Sequence, residues 1–187
     1  THEDLGLFRT APGGPSTPPT PRPNPWRPFP DPATLVRQQY IDLLDRVADD
    51  GGVAYWTGQL TTGGRSVSWM VQAFLRSPEF GVVVAPAARL ALVALGGPPA
   101  FSDLMTWAGR VRRGDALPAV AAAVCAQPAF ATRYGSLGDA AFVDRAHRDA
   151  TGAAAPSAFR TTWTGRLADR SATRAEVIAA VTALPAA

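Results

Sequence analysis

WTGQL, residues 56–60, decides the fold because it returns twice, as WAGRV at 107–111 and as WTGRL at 163–167. The flanks repeat with it. Each site sits in the order helix, Gly- or Pro-containing loop, Trp helix, short polar turn, helix, Pro-marked end. Trp56, Trp107 and Trp163 are followed at nearly constant distance by Pro78, Pro128 and Pro185. Self-similarity with a period of about fifty residues is the mark of repeated supersecondary units, each too small to bury its apolar face alone.

The helix signals are local and chemical. Asp31-Pro32 offers an N-cap acceptor followed by Pro at the first helical position, where its missing N–H costs nothing. Leu35, Val36, Tyr40, Leu43, Leu44 and Val47 recur at three- and four-residue spacing, an apolar stripe. The DDGG run at 49–52 ends that helix and starts the next, with Asp50 read as its cap. Gly63-Gly64 stops the Trp helix, Ser66 opens a third, and Ser77-Pro78-Glu79 caps a fourth. Thr173 and Glu176 form the spacing of a capping box. No alternating strand pattern stands out. The expectation is an all-α protein: three degenerate three-helix repeats, at about 34–80, 86–130 and 142–185, packed as one helical domain over 31–187.

Within a unit, Trp has the area to fill the gap between helices. The Gly two residues later would let another backbone approach. Trp56, Gly58, Trp107, Gly109, Trp163 and Gly165 are therefore read as structural core.

Residues 1–30 differ. Ten prolines lie between Pro12 and Pro32, so neither helix nor central strand is available. The segment reads as an extended, polyproline-like arm or linker. It also carries Phe8, Trp26 and Phe29, which a solvated spacer has no use for. These three are candidate interface residues, placed in a groove on the chain's own domain or on a neighbour.

Composition bounds the rest. All eighteen basic residues are Arg, the net charge is +3, and Ala, Gly and Pro are abundant. The bias is what a GC-rich genome, such as an actinobacterial one, is expected to give, and the pI near 9.7 follows from Arg alone supplying a slight excess of positive charge. The charge is too dispersed to neutralise many phosphates, so no nucleic-acid role is expected. Cys125, the single cysteine, allows no intramolecular disulfide or Cys-based metal site and reads as a buried small side chain. The apolar run 82–95 is interrupted by Pro86 and Arg89, so no membrane span is expected.

The stretches YIDLLDRVADDGGVAYWTGQL (40–60) and AFLRSPEF (73–80) resemble a bacterial family, domain-of-unknown-function 4214. RLALVAL with TWAGRV, and AFVDRAHRD with TWTGRL, resemble it more loosely, so the resemblance runs over about 34–184. It implies similarity to the helical linker domains of phycobilisomes, and secreted or surface-layer-associated relatives. The family's loop Gly-Arg is replaced by Asp45-Arg46, Gly96-Gly97 and Gly152-Ala153 in the three units.

Catalysis finds little support. His2 and His147 are the only histidines, and no GxSxG, HExxH, P-loop or GxGxxG motif occurs. Glu79 and Glu176 are accounted for by helix starts. Asp45, Asp49 and Asp50 could begin a calcium site, but no Glu follows at EF-hand spacing. No cofactor is expected. The reading is a non-catalytic structural or interaction component of an extracellular or cell-surface assembly, with a protein partner or self-assembly, after removal of a signal peptide or as an excised piece. A glycan- or envelope-binding module is the alternative, with Tyr55, Trp69, Arg110 and Arg113 as candidate contacts. An accessory domain of a secreted hydrolase is the third.

Overall fold

The computed structural model describes residues 24–185. Over that span the chain is helical, with ten α-helices and no strand among the described residues. Unit 1 holds α1 (Pro32–Leu44), α2 (Asp50–Thr61) and α3 (Val67–Leu75). Unit 2 holds α4 (Pro78–Leu95), α5 (Phe101–Arg112) and α6 (Leu117–Cys125). A short α7 (Pro128–Tyr134) leads into unit 3, with α8 (Asp139–Thr151), α9 (Ser157–Ala168) and α10 (Arg174–Thr182). The fold class is all-α. The caps lie where hydroxyls and carboxylates precede helices. Asp31, Ser66 and Ser77 each accept a hydrogen bond from an amide of the first turn, and Thr173 with Glu176 closes both halves of a capping box.

The repeat is visible in the helix lengths. The second helix of every unit has 12 residues, with the repeated Trp at the same position in each. The third helix of every unit has 9. Each unit's first helix ends on a residue in left-handed backbone: Asp45 at φ 52°, Gly96 at φ 79° and Gly152 at φ 78°. That conformation turns the next amide back onto the last helical turn and suits Gly, which has no Cβ. The position where this chain departs from the family's loop Gly is therefore the αL stop. Asp45 occupies it because a short polar side chain tolerates αL better than most.

Helix α4 is the centre. It packs against α1, α3, α5, α6, α7, α8 and α10, while α6 and α10 pack on each other. Unit 2 thus lies between units 1 and 3. Two apolar cores result. One gathers Leu35, Val36, Tyr40, Val53, Trp56, Met70 and Phe74 of unit 1. The other runs from Val83 to Val181 through units 2 and 3. Phe80 borders both.

Pro86 and Arg89 interrupt the apolar run but not the helix; α4 runs unbroken through 18 residues. Pro86 removes the amide that would bond the Val82 carbonyl, and Val82 is exposed, so water can take that carbonyl. By length and composition alone α4 could cross a membrane. Here it packs on seven other helices.

The expected arm ends differently as well. Asn24 closes a turn: its Oδ1 accepts from the Trp26 amide at 2.8 Å and its Nδ2 donates to the Phe29 carbonyl at 2.8 Å. Trp26 and Phe29 lie half-buried against the core of their own unit 1. Of the two placements expected for them, the chain's own domain or a neighbour, these two rings take the first. Phe8 lies outside the described residues.

Candidate functional site

The three repeated tryptophans differ in cover. Trp56 and Trp107 are buried, and Trp163 is half-buried. The glycines that follow do not admit a second backbone. A Cβ added at Gly58 or Gly165 would meet nothing within 4 Å, and at Gly109 it would touch only the side chains of Arg113 and Asp45, at 3.5 and 3.6 Å. The close-approach reading of Gly58, Gly109 and Gly165 is thereby corrected. The middle residue of the motif faces inward instead. Ala108 is fully buried, and the Thr57 and Thr164 hydroxyls are buried without a hydrogen-bond partner.

Trp56 anchors an aromatic cluster that reaches the surface of unit 1. Phe74 stands edge-on to it at 5.2 Å, Tyr55 at 5.1 Å, and Trp69 leans against it at 5.5 Å. Tyr55 is 54% exposed and Trp69 37%. The guanidinium of Arg65 lies over the Trp69 ring, 4.3 Å from its centroid. Sequence reasoning missed Arg65, although its four-residue offset from Trp69 was a usable signal. Of the other two candidate contacts, Arg110 pairs with Asp115 at 2.7 Å, and Arg113 sits at the end of α5 near Gly109.

The acidic loop serves a joint between units. Asp49, not Asp50, is the N-cap of α2, its Oδ1 accepting from the Gly52 amide at 2.7 Å; that bond holds its carboxyl below the usual range. Asp50 is fully exposed, with Arg37 at 4.0 Å. Asp45 faces Arg112 at 3.4 Å. The three carboxylates turn towards arginines and amides and do not converge. Among the described residues no group of three His, Cys, Asp or Glu side chains is placed to hold a metal ion. Glu79 of the Ser-Pro-Glu-Phe cap accepts from Arg46 at 2.7 Å and from Arg112 at 3.4 Å. Arg112 also donates to the Leu44 carbonyl, satisfying a carbonyl at the open end of α1. Arg46 further covers the Tyr40 ring at 4.7 Å. Unit 2 is thus tied to unit 1 through Arg46, Glu79 and Arg112.

The loop arginine, the Trp helix and the Ser-Pro-Glu-Phe cap now stand together in one structural unit. Residues 30–83 match the family described as Domain of unknown function (DUF4214). The DUF4214 segment covers α1, α2, α3 and the start of α4. The Arg46–Glu79 pair closes it end to end, joining the turn after α1 to the cap of α4. No curated protein and no solved structure matches the chain.

Outside the DUF4214 segment His147, Tyr134 and Asp149 are engaged structurally. His147 is buried, its Nδ1 3.0 Å from the Ala153 carbonyl, with Phe159 edge-on at 5.2 Å. Tyr134 donates to Asp149 at 2.8 Å, and its ring is wholly buried. Burial pushes its phenol up to about 12. Asp149 is further held by Arg133 at 2.7 Å and Arg145 at 2.9 Å. Burial also lifts the Cys125 thiol to about 12, which leaves almost no thiolate at neutral pH. A hollow of about 320 Å³ beside Asp149 is lined by Arg89, Leu92, Val181 and Thr182. It brings no nucleophile and base together.

Proposed function

We propose that the chain is a non-catalytic interaction component of a secreted or cell-surface assembly, docking through the aromatic face of unit 1. One observation carries the reading. Asp45, Arg46 and Asp49 of unit 1 are engaged in a cap and in the joint to unit 2, while Tyr55 and Trp69 are both exposed and both lean on Trp56, which Phe74 backs. Exposed aromatics on a fixed scaffold bind at low entropic cost, and Tyr, Trp and Arg are the residues that dominate interface energies. The partner is taken to be a second copy.

The test is sedimentation velocity on the full chain and on a Tyr55→Ala, Trp69→Ala variant across a concentration series. The reading expects self-association that the double variant weakens at least about tenfold, the loss of a single anchor of some 1.4 kcal/mol. Identical behaviour of the two chains would sink it.

The exposed Tyr55 ring also supports a second reading, a surface that stacks on envelope sugars. Arg65 over Trp69 weighs against it, because that ring face is already covered. Trp fluorescence during titration with soluble envelope polysaccharide separates the two. Quenching lost in Tyr55→Ala supports sugar binding, and an unchanged spectrum removes it.

A further inference from the structure

The two apolar cores meet at one side chain. Unit 1 has a core of its own, and the core of units 2 and 3 begins at Val83. Among the described residues Phe80 alone packs on both. Beyond Phe80, the boundary is crossed by α4, on which α1 and α3 pack, and by Arg112 at the end of α5.

Helix α4 is weakest where it crosses. The family segment ends at residue 83. Gly81 stands just before that point and Pro86 just after it. Gly leaves the helical backbone its freedom, and Pro removes the amide that would bond the Val82 carbonyl. Sharp bends in helices fall at such prolines. Gly81 and Val82 are both exposed, and a Cβ added at Gly81 would meet nothing within 4 Å, so packing does not brace those two positions.

The brace is ionic. Arg112 reaches Asp45 at 3.4 Å, Glu79 at 3.4 Å and the Leu44 carbonyl. Arg46 holds Glu79 at 2.7 Å, so the turn after α1 and the first turn of α4 belong to one body. Arg112 ties that body to the other. The four side chains are 24–32% exposed, which leaves their attraction open to screening by salt. The reach of a charge falls from about 30 Å at 0.01 M salt to about 3 Å at 1 M.

We propose that α4 is a hinge at residues 81–86 and that Arg112 is its salt-sensitive latch. Latched, unit 1 is held against the end of α5. Released, it swings on α4 with its own core intact. The part that swings carries the Tyr55–Trp69 face, so the latch sets the direction in which that face is presented. The device does not depend on that face binding anything.

The test is the distance between paired spin labels on the full chain, read by double electron–electron resonance in a Cys125→Ala background. Ala54→Cys on α2 with Thr161→Cys on α9 spans the hinge, and Thr106→Cys on α5 with Thr161→Cys lies within units 2 and 3; all three positions are exposed. The spanning pair should show one distance at about 0.01 M salt and a second distance at about 1 M. Arg112→Gln keeps an amide for the Leu44 carbonyl and removes the charge, and should show the second distance at low salt already. Adding Pro86→Ala restores the amide opposite the Val82 carbonyl and should shrink that second population. The pair within units 2 and 3 should keep one distance throughout. A spanning pair that keeps one distance at high salt, or in Arg112→Gln, overturns the proposal. So does an inner pair that broadens in step with it, because the whole body then loosens. A second population unmoved by Pro86→Ala overturns it too, because the bend then lies elsewhere.

Discussion

Replacing Gly58 and Gly165 by Ala is expected to stabilise the protein. Both lie inside helices, and neither has left-handed backbone. Gly in a helix interior costs about 0.8–1.0 kcal/mol relative to Ala, chiefly through backbone freedom lost on folding. That gain is cancelled only where the new methyl collides, and here it meets nothing within 4 Å at either site. Each change should therefore add about 0.5–1 kcal/mol, and the pair, in separate units, about 1–2. For a domain of this length, 1 kcal/mol corresponds to roughly 2–4 °C in Tm. Gly96→Ala is the opposing control. Its φ of 79° strains any L side chain, and its methyl would run into the Arg133 guanidinium, so it should destabilise by at least about 1 kcal/mol. Urea midpoints at constant m-value measure all three. A loss of stability in Gly58→Ala would show that a second backbone does approach the motif and would refute the reasoning.

Other expected outcomes follow from buried groups. Thr57→Val and Thr164→Val replace hydroxyls that are buried without partners, and each should stabilise by about 1 kcal/mol in urea unfolding; a loss would reveal a hydrogen bond at that hydroxyl. Arg112→Ala leaves the Leu44 carbonyl and Glu79 without that partner; it should cost about 1–2 kcal/mol, given the third of its side chain that is exposed, and hydrogen exchange should quicken at the end of α1. Unchanged exchange there would remove Arg112 from the joint. Tyr134 titrates near 12 when folded against an ordinary 10, so the folded state holds the proton more tightly. Its contribution is complete below pH 10 and is lost as pH rises from 10 towards 12. Tyr134→Phe should flatten the fall of stability across that window, and parallel curves would show the phenol is not held.

Much of the architecture was legible because its causes are local. Asp31-Pro32, Ser77-Pro78 and Thr173 with Glu176 are caps made within four residues, and sequence displays such chemistry directly. The recurrence of Trp-x-Gly marks three helices of 12 residues, each followed by one of 9, although α4 begins at Pro78, inside the 34–80 span read as the first unit. What failed depended on distance in the chain. Arg112 meets Asp45 across 67 residues, and no short pattern announces that partnership. Asp49 rather than Asp50 became the cap because only its carboxylate lies within reach of the Gly52 amide, a one-residue distinction inside an Asp-Asp pair. The glycines of the motif were given a packing role because the sequence does not show what stands opposite them. For Trp26 and Phe29 the sequence left the chain's own domain and a neighbour both open, because nothing in a proline-rich segment reveals that Asn24 folds it back onto unit 1.

The central claim is that this helical body works by docking, and solution mass tests it most directly. Sedimentation velocity of the full chain should show a weight-average mass that rises above 19.6 kDa with concentration and falls back when Tyr55 and Trp69 are replaced by Ala. A chain that stays at 19.6 kDa at every concentration, with or without those rings, would contradict the account.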